Sequence, residues 1–470
     1  MPEGRGVART PAVLGLDLGT SEAKAALVGP DGALLGLGRA AYPTATSPDG
    51  AAEQDPRAWW RAITTAVRSL SGVIGASEVL AIACVGQGPT VVAVDGAGEP
   101  VRDAVTWQDR RPGEGGFGLV PRMAWLARAD AAAVERARWL LSSWDAAGLW
   151  LSGEARWTLQ AHEQPPTASE LGAAHVRADL VPATTPFATR LGSLRQVVAE
   201  GLGLPAGIPV IAGVNDGTAS MLGAGLLEPG DAVDTGGTSG GLGIYAARPV
   251  VAPGLFAAPA PLPGRWVVGG AMAALGASVD WLRGPILGGR SLDELQVLAA
   301  EVPPGADGLV FLPYLAGERA PIFDEGARGA FFGLTLAHDA RHLARAVLEG
   351  TAFAMRSVAE PLAAAGAPMR ELRITGRPGS RDTWVQVKAD VLDVPVGIPA
   401  VGDTGALGAA IIAAAGVGVV PSLETGVAAM TSVLRRLEPD AANRGAYDAA
   451  YPTYRALYPA LRGAAGASGR

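Results

Sequence analysis

The chain has 470 residues, 49% hydrophobic and 18% charged, which excludes wholesale disorder and supplies enough apolar material for two or more large cores. Its 65 glycines and 36 prolines follow no three-residue period, which excludes a collagen-like fibre. With 38 basic against 45 acidic residues, a net charge of −7, one cysteine and four histidines, the chain lacks a nucleic-acid footprint, an internal disulfide and a zinc constellation.

Residues 1–11 read as a loose tail. Ala12–Val28 reads as apolar strand, Gly/Thr turn and apolar strand, and a second hairpin turns at Pro30-Asp31-Gly32 and returns over Ala33–Ala41. Glu53–Leu70 has helical periodicity, with Asp55 as N-cap and Pro56 as first helical residue. Val79–Val85 and Val91–Val94 are strands around GQGPT (86–90), and Asp95–Gly98 is a turn. Trp157–Asp179 is polar and irregular, after which Pro205–Ala212 returns to a strand ending at Gly213-Val214-Asn215-Asp216. Ala232–Tyr245 then repeats the first hairpin: apolar strand, D-x-G, small-residue turn, apolar strand. Asp17 and Asp234 lie 217 residues apart, too far for a solenoid repeat. The echo points to duplication of a whole α/β domain, although Gly/Thr turns also recur by chance in a glycine-rich chain.

The second half continues with a strand at Trp266–Gly270, helices at Ala273–Leu282 and Ser291–Glu301, and a strand at Gly308–Leu315. A long helix follows at Ala340–Glu360, then a strand at Leu372–Gly376, a helix at Asp382–Val391 and an Ala-rich helix at Gly405–Ala415. Strands alternating with helices predict α/β architecture with mixed sheets. The uncharged stretch Thr404–Leu423 is broken by glycines and Pro421 and reads as a buried helix, not a membrane span. The apolar run Ala12–Leu16 is too short for a secretory signal, so the expectation is a soluble cytoplasmic protein.

Three places carry candidate chemistry. In the turn Asp17-Leu18-Gly19-Thr20-Ser21, small residues let backbone N–H groups approach a phosphate, with Lys24 as a nearby point charge; an ordinary tight turn with a surface lysine fits equally. Gly236-Gly237-Thr238-Ser239-Gly240 offers the same donors, and neither turn has the spacing of a P-loop or a Rossmann fingerprint. Asp216, after a strand, is either a base for a hydroxyl proton or a helix N-cap.

These segments resemble the FGGY carbohydrate kinases, most closely the xylulokinase-like branch. The resemblance runs from about Val13 to Ala415 through GLDLGTSEAK (15–24), EQDPRAWW (53–60), GQGPT (86–90), TWQDRR (106–111), AGVNDG (212–217), DTGGTSG (234–240), FLPYLAGERAP (311–321), GAFFGLT (329–335), HLARAVLEGTAFAM (342–355) and DTGALGAA (403–410). It implies two actin-like (ribonuclease H-like) ATPase domains, with mixed sheets flanked by helices and a cleft between them. The expected division is an N-terminal domain over 12–226, a C-terminal nucleotide-binding domain over 227–430 and an extension over 431–470. It implies transfer of the ATP γ-phosphoryl group to a hydroxyl of a small sugar, most closely a ketopentose such as D-xylulose. Another ketose or polyol, or a non-catalytic sugar- or nucleotide-binding relative, stays open.

By position, Asp216 would be the catalytic base, and Asp17 would hold Mg²⁺ through water. Gly19, Thr20, Ser21 and Lys24 would meet the terminal phosphates, with Gly237 and Thr238 on the other domain and Gly376, Arg377 and Gly379 at the nucleotide. Gln87, Gly88, Pro89, Trp107, Asp109 and Gly217 would form the sugar site. A homodimer is implied by resemblance alone.

Three departures accompany the match. Gly88-Pro89 replaces a Met-His pair that touches the sugar, and Gly217 replaces Asn or Gln; this implies altered substrate choice, or replacement contacts from Trp107, Gln108 and Asp109. Gly376-Arg377-Pro378-Gly379 replaces a Gly-Gly-Gly-Ala stretch, and Pro378 removes an N–H donor at the nucleotide. The segment between Arg111 and Asp179 is shortened, implying a more open sugar pocket. Trp59, Trp60 and Trp384 are expected to pack, and Glu318 with Arg319 to form either an ion pair near the hinge or a solvated pair.

Overall fold

The structure is a computed structural model and describes residues 9–113, 118–160, 163–376 and 380–467. The chain forms two compact units. One holds the residues up to Gly223 together with Asp403–Thr431; the other holds Ala224–Gly402 and the residues from Ser432 onward.

The first unit is built on β1 (Thr10–Leu18), β2 (Glu22–Val28), β3 (Leu34–Ala41), β4 (Ser77–Gly86) and β5 (Pro209–Ile211), in the order β3-β2-β1-β4-β5, with Arg190–Ser193 at the edge. The hairpin pairs β1–β2 and β2–β3 are antiparallel, whereas β1–β4 and β4–β5 are parallel. From Ala12 onward every residue of β1 is buried, because helices cover both faces of the strand. Leu14, Leu16 and Leu18 share a core with Trp59, Ile63 and Val67 of the helix Pro56–Arg68, which Asp55 caps as expected. On the opposite face lies the Ala-rich helix Thr404–Gly416: a Cβ on Gly15 would stand 2.1 Å from the Ala406 carbonyl oxygen.

The second unit repeats this plan with β6 (Asp231–Asp234), β7 (Gly241–Ala246), β8 (Trp266–Ala271), β9 (Glu371–Ile374) and β10 (Val396–Pro399), in the order β8-β7-β6-β9-β10. Again the hairpin pairs β6–β7 and β7–β8 are antiparallel, and the pairs β6–β9 and β9–β10 are parallel. Strand order and pairing sense thus match over five strands, which is what duplication of the domain predicts. Outer strands Phe256–Pro259 and Val433–Leu437 complete this sheet.

Two segments depart from the expected division. Residues 403–431 were expected within a C-terminal domain spanning 227–430, but they pack in the first unit. The cause is close backbone approach: the helix Thr404–Gly416 seals β1 and crosses the helix Asp216–Gly223 at Gly408, whose added Cβ would lie 1.9 Å from the Ala219 carbonyl oxygen. Residues from 431 onward were expected as an extension, yet the helix Ala441–Ala467 supplies core to the second unit. Its Tyr447, Tyr451 and Tyr454 pack around Phe353, with ring centroids 6.2, 5.6 and 5.5 Å away. Within the first unit, a satellite core of Val91, Met123, Leu126, Leu140, Trp157 and Leu180 organises the region around residues 91–181. The helices Leu119–Ala129 and Ala131–Arg136 belong to it, whereas Ala146, Ala147, Leu149 and Leu151 of the helix Ser143–Ser152 join the main core of the unit. No helix among the described residues is long and apolar enough to cross a membrane.

Replacing Gly408 by Ala drives a methyl group into the Ala219 backbone, which neither helix can yield cheaply; chemical denaturation should show a loss of about 3 kcal/mol or more. Gly445, exposed within Ala441–Ala467 and facing open space, is the opposite case: Gly445→Ala should raise stability by about 0.5–1 kcal/mol.

Candidate functional site

In the first unit β1 delivers Asp17 to the end of the sheet, opposite Lys24 in the β1–β2 register. The chain has two lysines, and both sit beside an aspartate at such a turn. Lys24 Nζ lies 3.5 Å from Asp17 Oδ2 and 3.8 Å from carboxylate oxygens of both Glu22 and Asp403, while Arg39 pairs with Glu22 and Asp403. Asp17 is buried. Desolvation pushes its carboxyl up and Lys24 pulls it down, and the net direction is upward. Its Oδ1 has no hydrogen-bond partner. The turn itself is closed by Gly19 N–H donating to the Glu22 carbonyl at 3.1 Å, and Tyr42 Oη donates to the Gly19 carbonyl.

Asp216 is the first residue of the helix Asp216–Gly223. The N-cap alternative falls to its neighbour: Asn215 Oδ1 accepts the N–H groups of Gly217 and Thr218 at 2.9 and 3.4 Å. Asp216 Oδ1 accepts only the Gly217 N–H, at 2.8 Å, and the side chain stays half-buried and reachable. Desolvation first, and then the Asp17 charge, push its carboxyl up to about 7.

Next to these lies a cavity of about 720 Å³, within the range of small-molecule sites. Gly88, Pro89 and Asn215 line it, as do Trp144, Trp157 and Gln160, which the sequence reading did not single out. Ser142 caps the helix Ser143–Ser152, and the buried Asp145 accepts the Thr158 N–H at 3.2 Å, so one polar tie brings the Trp144 and Trp157 segments together. Burial pushes the Asp145 carboxyl up to about 7. The space at Gly88 is not open. A Cβ there would stand 2.8 Å from the Trp144 ring and 2.8 Å from Asn215 Nδ2. The Trp144 indole fills the volume beside Gly88, so the missing side chain does not widen the cavity.

Three other expected sugar contacts have partners within the protein. Gln87 donates to Gln54 Oε1 at 2.7 Å, and its own Oε1 is buried without a partner. Trp107 Nε1 donates to Thr20 Oγ1 at 3.0 Å. Asp109 is buried, accepts the Ala52 N–H at 3.1 Å and pairs with Arg111 at 2.6 Å. Burial alone would raise its carboxyl; the Arg111 guanidinium and the backbone donors outweigh that and hold it below the ordinary range. Neither Trp107 nor Asp109 is among the described residues lining the cavity.

In the second unit the β6–β7 turn has the same logic. Gly236, Gly237 and Gly240 adopt positive φ of 59°, 76° and 94°, backbone that glycine takes without steric cost. Asp234 anchors it: Oδ1 accepts the Gly236 N–H at 2.9 Å and Oδ2 accepts Lys388 Nζ at 2.6 Å, both charges almost wholly buried. Lys388 Nζ also lies 4.1 Å from the centre of the Trp384 ring. These groups line a cavity of about 430 Å³ with Gly237, Thr238 and Gly376. Arg377 and Gly379, expected at the nucleotide, lie outside the described residues. Trp384 packs as expected and donates to Thr351 Oγ1 at 3.0 Å. Glu318 accepts the backbone N–H groups of Ala273 and Arg319, both at 2.7 Å, in place of a side-chain ion pair with Arg319.

Residues 12–114 match the N-terminal domain of the FGGY family of carbohydrate kinases, and residues 232–417 match its C-terminal domain. The chain belongs to the FGGY family. This FGGY chain is 31% identical to the glycerol kinase of Gloeobacter violaceus over 454 residues, covering 88% of this chain and 90% of that one. It is 28% identical to the xylulose kinase of Escherichia coli K12 over 488 residues, covering 95% and 99% respectively. Among solved structures, the xylulose kinase of Rhodospirillum rubrum superposes with a TM-score of 0.85 at 29% identity, covering 97% of this chain and all of that one. The fold is the FGGY two-domain, actin-like fold, and the enzyme is a sugar kinase, a phosphotransferase with ATP as its phosphoryl donor.

Lys388→Met leaves Asp234 as a buried charge without a partner, so thermal or urea unfolding of the whole chain should register a loss of about 3–5 kcal/mol. The double variant Lys388→Met/Asp234→Val removes both charges and should recover most of it. Additive losses in the double variant would show that the pair is not coupled.

Proposed function

We propose that the enzyme transfers the γ-phosphoryl group of ATP to a hydroxyl of a small neutral ketose or polyol, with Asp216 as the base that accepts the hydroxyl proton. The observation that carries this is the state of Asp216: capping falls to Asn215, the carboxylate stays half-buried, and its carboxyl is pushed up to about 7. A base poised near neutral pH can take a proton as the alcohol attacks and still be ionised beforehand. A ketopentose of xylulose type is the first candidate, supported by the relatives named xylulose kinase. ATP chemistry also supports a cytoplasmic setting.

Mg²⁺ fits the first turn. The unpartnered buried oxygen of Asp17 suits a hard cation held through water, and Lys24 and Arg39 balance the surrounding carboxylates. When bound, the ion would neutralise charge on the transferring phosphates. Lys24, set among Asp17, Glu22 and Asp403, offsets part of the cost of burying the Asp17 carboxylate and remains the candidate cation for a terminal phosphate. In the first unit the backbone donors of Thr20 and Ser21, in the turn that Gly19 closes, would receive phosphate; in the second unit those of Gly237, Thr238 and Gly376 would receive the nucleotide. Catalysis of this kind rests on positioning and charge more than on covalent chemistry.

Asp216→Asn should lower kcat by about 10²–10⁴-fold in an ADP-release assay with D-xylulose, while ATP affinity stays within a few-fold; equal turnover removes Asp216 from the base role. Because its carboxyl sits near 7, Asp216 is protonated and idle on the acid side. The kcat/KM profile should therefore rise as pH passes upward through about 7 and then level off. A profile flat from pH 5.5 to 8.5 would contradict the assignment.

A further inference from the structure

We infer that the wall formed by Gly88, Pro89 and Trp144 selects a neutral sugar that turns a deoxy or C-methyl carbon, not a hydroxyl, toward it; this rests on the kinase reading above. The wall is short of hydrogen-bonding groups by construction. Gly88 has no side chain, and Pro89 has neither an N–H nor a polar side chain. Nor can any side chain be added at position 88 without displacing the indole, since even a Cβ meets Trp144 and Asn215 at 2.8 Å. The Trp144 indole Nε1 is shielded from solvent and has no partner, so what the ring offers the cavity is carbon. Leu119 and Val120 extend the apolar lining.

Polar lining comes from Asn215 at the Gly88 edge and from another segment, with Gln160, Gln164 and Thr167 able to meet hydroxyls. Glu163 and Glu170 line the same cavity, and no lysine or arginine does among the described residues. A carboxylate- or phosphate-bearing sugar would meet only negative charge there. A hydroxyl pressed against Pro89 and the face of the Trp144 ring, away from the Asn215 amide at the Gly88 edge, loses its water and gains no partner, whereas a methylene or methyl group loses nothing. An apolar pocket discriminates on this basis by about 10–200-fold.

The test pairs D-xylulose with 1-deoxy-D-xylulose and 5-deoxy-D-xylulose, and D-fructose with a 6-deoxyketohexose, with gluconate as the anionic control. The full chain is assayed by titration calorimetry and by ADP release. At least one deoxy member should exceed its parent by tenfold or more in affinity and in kcat/KM, and gluconate should be the poorest. Trp144→Gln places a hydrogen-bonding group in the wall and should bring that ratio to within about threefold while KM for ATP stays unchanged. Trp144→Phe should preserve the ratio. A merely structural role for Trp144 would lower the Tm of both variants without moving the ratio. If Trp144→Gln does not fold, the wild-type ratio and the Phe variant decide.

Parents bound and turned over as well as every deoxy partner would overturn the inference. Deoxy preference in binding with no turnover of any sugar would sink the kinase reading and leave the wall assignment standing. No binding of any sugar would sink both.

Discussion

A phosphate-binding turn and a buried carboxylate beside it are electrostatic opponents, and this protein places them together twice. Asp17 stands one residue before the end of one central strand and Asp234 ends the other, each next to backbone donors that would receive anions. Such a carboxylate is tolerable only with a cation at hand, and the chain's two lysines stand at these two positions. The pairs are not alike. Lys388 is bound tightly to Asp234 and shapes the turn through the Gly236 N–H, whereas Lys24 stands farther from Asp17 and shares three carboxylates. The second pair is architecture; the first leaves one oxygen of Asp17 unspent.

The duplicated sheet explains why chemistry gathers at these turns. In each unit an antiparallel hairpin meets a parallel neighbour at the central strand, so that strand's end is flanked by a turn on one side and by a loop entering a helix on the other. In the first unit the parallel neighbours bring Gln87 after β4 and Asn215-Asp216 after β5 to this end. Glycine then sets how closely helices may seal the sheet: Gly15 and Gly408 let the Ala-rich helix lie against strand and helix backbone, so the loop at Asp403 arrives beside Lys24 and Arg39.

Much of this was legible in the residues. Both hairpins announced themselves by apolar runs around D-x-G turns, and the Pro56–Arg68 helix by its Asp-Pro start and amphipathic stripe. The domain plan beyond position 400 was not, because the helix Thr404–Gly416 is buried on all sides and its sequence carries no stripe to say which partner it covers. Ser143–Ser152 hid for the same reason, being apolar nearly all round, and Trp144 hid with it. Pro452 and Pro459 masked the continuity of Ala441–Ala467. Asp109 looked like a ligand by position; only three-dimensional proximity assigns both of its oxygens to Arg111 and Ala52.

Gly88 carries a more general point about reading specificity from single positions. A glycine where relatives carry a large residue suggests a vacancy, and a vacancy suggests a broader pocket. Here the vacancy is a condition for something else: the Trp144 indole needs the volume that any side chain at 88 would take. By the resemblance Gly88 stands for Met and Pro89 for His: at 88 the Trp144 indole takes the space of one apolar group, and at 89 a hydrogen-bonding ring is lost, so the cavity keeps its bulk while its chemistry is altered. Discrimination among sugars depends mainly on which hydroxyls find partners, because an unmade hydrogen bond in a desolvated site costs more than a slightly loose fit. A wall that exchanges polar contacts for an aromatic surface therefore redirects substrate choice rather than relaxing it.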